Sequence, residues 1–238
     1  MPDIDLGPVK GGSTNLTGYL ATPATGGPWP GVAVLHESFG LDDVMRRHTE
    51  HLATMGYLAI APNLFSDGGP RRCLVSTLRA LATGKGRAFA DIEASRRWLL
   101  AHSDCTGKVG VIGFCLGGGF ALLTATHGFD VAGDNYGTVP RKAERVLAGA
   151  CPIVASYPKH DPMTIGMAAK LERTLSTLGV EHDVKTYPKA GHSFLNDAPN
   201  GPAPLRPLLK VVNIGPEPTA SADAWRRIES FFAKHLAS

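Results

Sequence analysis

The chain lacks the features that mark several large classes of protein. No apolar run approaches the roughly 18 residues that a membrane helix needs, and residues 1–12 show no basic-then-apolar leader pattern. An excess of one charge is missing too: 24 Lys and Arg stand against 21 Asp and Glu, interspersed, for a net +3. Nucleic acid is recognised through a basic stripe, so neither nucleic acid nor a membrane is expected as a partner. Cysteine is sparse. Cys73, Cys105, Cys115 and Cys151 have no CxxC spacing, which points to reduced thiols in a cytoplasmic protein rather than to disulfides or zinc. The HExxH motif is absent; His48 and His51 lie one helical turn apart without an evident third ligand and read as a solvated helix face, so no metal is expected.

What is present is a globular composition, 43% hydrophobic and 19% charged over 238 residues, enough for one domain spanning 1–238 with a core on both faces of a sheet. Short apolar or β-branched runs at 16–22, 31–35, 57–61, 108–114, 131–136, 152–157 and 182–187 read as strands. Between them, apolar residues recur at helical spacing: Leu41 to Met55, residues 87–102, residues 115–127, Ala168 to Leu178, and Trp225, Ile228, Phe232 and Leu236 in a closing helix. Strands alternating with helices imply an α/β fold, a mostly parallel central sheet flanked by helices on both faces. Two segments stand outside this rhythm. Cys73 falls in an Arg-rich stretch read as a loop, and 198–218 is a Pro-rich loop.

The chemistry gathers around "KVGVIGFCLGGGFALL" at 108–123. Cys115 occupies the corner between a strand and a helix, with Gly113 and Gly117 on either side at the spacing of a G-x-S-x-G nucleophile elbow, sulfur replacing oxygen. A helix starting there aims its free N–H groups and positive dipole end at the sulfur, which favours thiolate, and the Leu116 N–H is positioned for an oxyanion. A buried structural cysteine beside a glycine-rich helix start is the competing reading. In parallel sheets ligands bind beyond the carboxyl ends of the strands. Asp161, in "PKHDP", and His192, in "PKAGHSF", each follow a strand and come in the order nucleophile, acid, histidine. His160 reads as a loop residue, and Glu37 and Ser38, in "LHESFG", fall in the loop after the first apolar strand. Ser38 N–H is a second candidate oxyanion donor; Glu37 is either paired to an arginine as a fold element or able to exchange a proton with the thiol.

With "HESFGLDD", "GYLAIAPNLF", "VGVIGFCLGGGFAL", "HDPMT" and "YPKAGHSFLND" in this order from about 31 to 197, the sequence resembles the dienelactone hydrolase family of α/β-hydrolases. The resemblance implies a Cys115–His192–Asp161 triad, Glu37 deprotonating the thiol when substrate binds, oxyanion donors at Leu116 and Ser38, and no cofactor. A small ester or lactone would be cleaved through a thioester acyl-enzyme. Phe39, Tyr136 and Ser193 are pocket candidates by position. Family members that cleave dienelactone hold its carboxylate with arginines, one of them four residues after the histidine; Asn196 stands there in this chain, leaving Arg71, Arg72, Arg79 or Arg206 as possible substitutes. A thioesterase or general carboxylesterase on the same triad, and a non-catalytic domain that binds a ligand or senses oxidants through Cys115, are the alternatives. Nothing in the sequence sets the oligomeric state.

Overall fold

The computed structural model describes residues 2–198 and 214–237. Most of the Pro-rich segment and Arg206 therefore lie outside the described residues. One eight-stranded sheet organises the chain: β1 (Asp3–Gly7), β2 (Leu16–Ala21), β3 (Trp29–Leu35), β4 (Leu58–Pro62), β5 (Cys105–Phe114), β6 (Val131–Asn135), β7 (Ile153–Pro158) and β8 (His182–Tyr187). Their spatial order is β1-β2-β4-β3-β5-β6-β7-β8. From β3 to β8 neighbouring strands are parallel, whereas β2 runs antiparallel to β4 and β1 antiparallel to β2. The edge strand β1 escaped the sequence reading because half-exposed "DIDLG" buries no residue fully and carries no core signal.

The helices are α1 (Asp43–Thr54), α2 (Gly69–Thr83), α3 (Arg87–Ala101), α4 (Leu116–Thr124), the short α5 (Ala143–Val146), α6 (Met167–Leu178) and α7 (Pro218–Leu236). The pleat of each parallel strand divides its side chains between two cores. Ala33 and Leu35 join Ile92, Phe120, Leu122, Leu171 and Leu175 from α3, α4 and α6 on one face. Val32 and Val34 join Met45, Leu52, Trp225, Ile228 and Phe232 from α1 and α7 on the other. Fully burying side chains of this size contributes about 1.5–3 kcal/mol each.

Two expectations are corrected. Cys73 lies on α2 rather than in a loop: Pro70 is tolerated in a first helical turn, and Cys73, Thr77 and Ala80 recur at helical spacing on the buried side. The His48–His51 face is solvated only at His51, not at His48. His48 is buried, because α1 carries it under α7, where its ring approaches Trp225 at 5.4 Å; His51 stays exposed, its ring meeting Trp225 edge-on at 4.6 Å between centroids.

Parallel pairing has one further consequence. The carboxyl ends of β3, β5, β6, β7 and β8 emerge on the same edge, so the segments beginning at His36, Cys115, Tyr136, Lys159 and Pro188 share one rim of the sheet.

Candidate active site

Cys115 terminates β5 and caps α4 with φ 53° and ψ −114°, a conformation that L-residues rarely adopt. The sequence around it is what permits the turn. A Cβ on Gly113 would lie 2.0 Å from the Gly117 carbonyl oxygen, and one on Gly117 would lie 2.1 Å from that of Leu35. Strand β5, the start of α4 and the end of β3 touch through bare backbone, and the half-buried thiol is held above them. Strained backbone recurs at this rim: Tyr136 has φ 46° and Ser193 φ 59°.

The loops after β7 and β8 bring Asp161 and His192 together. His192 Nδ1 donates to Asp161 Oδ2 at 2.7 Å, with both side chains buried. Asp161 is held in turn by Thr164 Oγ1 at 2.7 Å and by Met163 N–H at 2.9 Å. Burial pushes the Asp161 carboxyl up, but its hydrogen bond and charge contact with His192 overcome this and hold it below its ordinary value. For His192 burial works downward; the hydrogen bond to Asp161 and the nearby Cys115 sulfur outweigh it and lift the imidazole to about 10. Its Nε2 is buried with no hydrogen-bond partner among the described residues. An imidazole anchored at one nitrogen, with the other unused beside a thiol, can pass a proton.

Glu37 and Ser38 follow β3 onto the same rim. Ser38 Oγ lies 4.0 Å from Cys115 Sγ. The Glu37 carboxylate, 2% exposed, accepts from Ser193 Oγ at 2.9 Å and Asn196 Nδ2 at 3.4 Å. Burial raises its pKa, with His192, Ser193 and Asn196 pulling the other way. Neither Leu116 nor Ser38 uses its backbone N–H on a partner among the described residues. The Tyr136 ring packs 5.1 Å from that of His192, and Phe39 stands at the rim, 36% exposed. Ser193 is buried with its hydroxyl committed to Glu37. Arg71, Arg72 and Arg79 are exposed on α2.

Some participants are not singled out by the sequence. His36 donates from Nδ1 to the Glu37 carbonyl at 2.7 Å and accepts the Leu64 N–H at its Nε2 at 3.1 Å, tying the loop after β3 to the one after β4. Burial drives this histidine down to about 4, the neutral form that such pairing needs. Asp134, at the end of β6, accepts from Gly137 N–H at 2.9 Å and from the Tyr157 hydroxyl, directly under the Gly118 backbone. The "HESFG" and "GDNYG" strings hold these residues, but only their partners assign them a task.

Comparison with known proteins places the chain in a family. A carboxymethylenebutenolidase of Rhodococcus opacus is 29% identical over 242 residues, spanning 94% of this chain and 88% of that protein. Among solved structures, a dienelactone hydrolase from Anabaena variabilis superposes with a TM-score of 0.72 at 18% identity, covering 99% of this chain and 97% of that one. A dienelactone hydrolase-like promiscuous phosphotriesterase from metagenomic libraries superposes with 0.77 at 23%, covering 99% and 98%; at such identities the likeness is one of fold. The model of the dienelactone hydrolase family matches residues 16–236, and the chain belongs to that family, a hydrolase on the α/β-hydrolase fold.

Proposed function

We propose that the protein hydrolyses a small-molecule ester or lactone through a thioester on Cys115, with Asp161, His192 and Glu37 as its titratable partners. The observation that carries this reading is the buried 2.7 Å pair of His192 and Asp161 on the rim where Cys115 turns. Glu37 takes the thiol proton and the thiolate attacks the carbonyl carbon. Donors from Leu116 and Ser38 N–H groups face the oxyanion. Protonated His192 gives its proton to the departing oxygen as the C–O bond breaks. Neutral His192 then takes a proton from water, whose oxygen attacks the thioester and expels the thiolate, and Glu37 returns the first proton. Thiolate leaves a tetrahedral intermediate readily, which favours activated esters, lactones and thioesters over amides. Every group in this cycle belongs to the chain, so the chemistry calls for no cofactor. The same reading takes residues 1–238 as one domain acting in the cytoplasm.

The test is intact-protein mass spectrometry after brief exposure to p-nitrophenyl acetate, with product release followed in parallel, in wild type and Cys115→Ala. An acetyl adduct or turnover confined to wild type is expected. Equal behaviour of the two proteins would remove Cys115 as nucleophile and favour the ligand-binding or redox-sensing alternative. Relative rates on lactones, simple esters and thioesters then separate a lactonase from a carboxylesterase or thioesterase.

A further inference from the structure

Behind the candidate triad lies a set of buried polar groups that this cycle does not use. His48, on the inner side of α1, is 4% exposed and stacks on Phe114, the residue before Cys115, with centroids 4.5 Å apart and planes at 15°. Its Nε2 lies 3.1 Å from Asn196 Oδ1. Asn196 is 1% exposed and turns its Nδ2 to Glu37 Oε2 at 3.4 Å, while Ser193 holds the other oxygen of that carboxylate. A line of contacts therefore runs from α1, through one side-chain amide, to the Glu37 carboxylate.

The direction of each bond follows from donor inventories. Burial lowers the His48 pKa to about 4, so near neutrality its ring carries one N–H. Facing an amide oxygen, Nε2 must be the nitrogen that carries it. The amide is then fixed with its NH2 toward Glu37, and a donor there favours carboxylate over carboxylic acid. Without the His48 donor only the longer Tyr136 bond opposes the amide's turning over to offer its oxygen, which suits only a protonated Glu37. We infer that His48 is a positioning residue for the reaction: by donating to Asn196 Oδ1 it keeps the amide NH2 on Glu37 and so keeps Glu37 able to receive a proton. This rests on the roles given to Glu37 and Cys115 above.

Other charged and titratable groups also bear on the pair. Glu37 is faced by His192, which favours its anion, by Asp42, which opposes it, and by Tyr136, which is itself also near Cys115. His48 is faced by His51 and by Asp197 and Arg47, the last two being bound to each other at 2.8 Å with opposite effects on the ring. Of these, Tyr136 alone also donates to Asn196 Oδ1, through its hydroxyl at 3.5 Å, a longer bond than the 3.1 Å contact of His48.

The experiment is the pH dependence of kcat/KM for p-nitrophenyl acetate in wild type, His48→Leu, His48→Gln and Cys115→Ala. In His48→Leu the acid limb should move up by about one pH unit, a tenfold loss on that limb, with KM little changed and rates converging at high pH. His48→Gln, whose amide can donate to the same oxygen, should keep the wild-type limb. A His48→Leu limb coincident with wild type, or equal displacement in both variants, overturns the inference. Should His48→Leu fail to fold, ring-nitrogen NMR of 15N-histidine wild type decides: Nε2–H at His48 is expected across neutral pH, and the Nδ1–H form overturns it. Wild-type turnover in Cys115→Ala overturns the function proposed above and this inference with it. Loss of turnover there, with coincident His48 limbs, overturns this inference alone.

Discussion

Ser193 donates its Oγ to Glu37 Oε1 across 2.9 Å, so the residue next to His192 in one loop holds the carboxylate of another. Ser193→Ala should therefore raise the Glu37 pKa further and move the acid limb of kcat/KM upward. Loss of a hydrogen bond to a buried charged group should cost about 1.5–3 kcal/mol of stability. Urea unfolding with the pH–rate profile checks both.

Gly117 is where the turn tolerates least. Its missing Cβ would sit 2.1 Å from the Leu35 carbonyl oxygen, and neither is the end of a flexible side chain. Gly117→Ala should cost about 3 kcal/mol or more, because backbone of both elements must shift. Its measure is a lowered denaturation midpoint together with lost ester hydrolysis.

The elevated His192 pKa has a definite sign. The folded value, about 10, lies above the ordinary 6.5, so the group's contribution to stability is fully present below pH 6.5 and is lost as pH rises through 10. Because Cys115 is one of its causes, Cys115→Ala should bring the His192 titration down. NMR titration of the histidine ring protons in both proteins checks this, with an unchanged midpoint as the contrary result.

Asn196 stands where the resemblance leads one to expect an arginine, and its amide lies on Glu37 and His48. Arg71, Arg72 and Arg79 are exposed on α2. A neutral p-nitrophenyl ester should therefore give a kcat/KM roughly tenfold above that of its carboxylate-bearing hemisuccinate counterpart, a difference equivalent to about 1.4 kcal/mol. Steady-state rates on the two esters measure it.

The parallel architecture was legible because buried strands such as "VAVL" and "VGVIG" are continuous apolar runs, and the helices between them keep a 3.6-residue period. The exceptions have physical reasons. β1 is an edge strand without a buried residue, and α2 opens on Gly-Gly-Pro, a string that also reads as a turn. For the rim, motif spacing identified Cys115, Asp161 and His192 as following strand ends, and parallel pairing brings those ends to one edge.

By itself the sequence determined the alternation of elements, the glycines that allow a turn at Cys115, and the order of chemistry-bearing residues, since all three are local properties of the chain. Only the tertiary structure decided what those residues touch. His48 looked like half of a solvated pair and is a buried donor to Asn196; Ser193 looked like pocket lining and holds Glu37. Their partners lie 148 and 156 residues away along the chain. A hydrogen bond between residues so distant leaves no local pattern, because it depends on which helix the sheet brings beneath which loop.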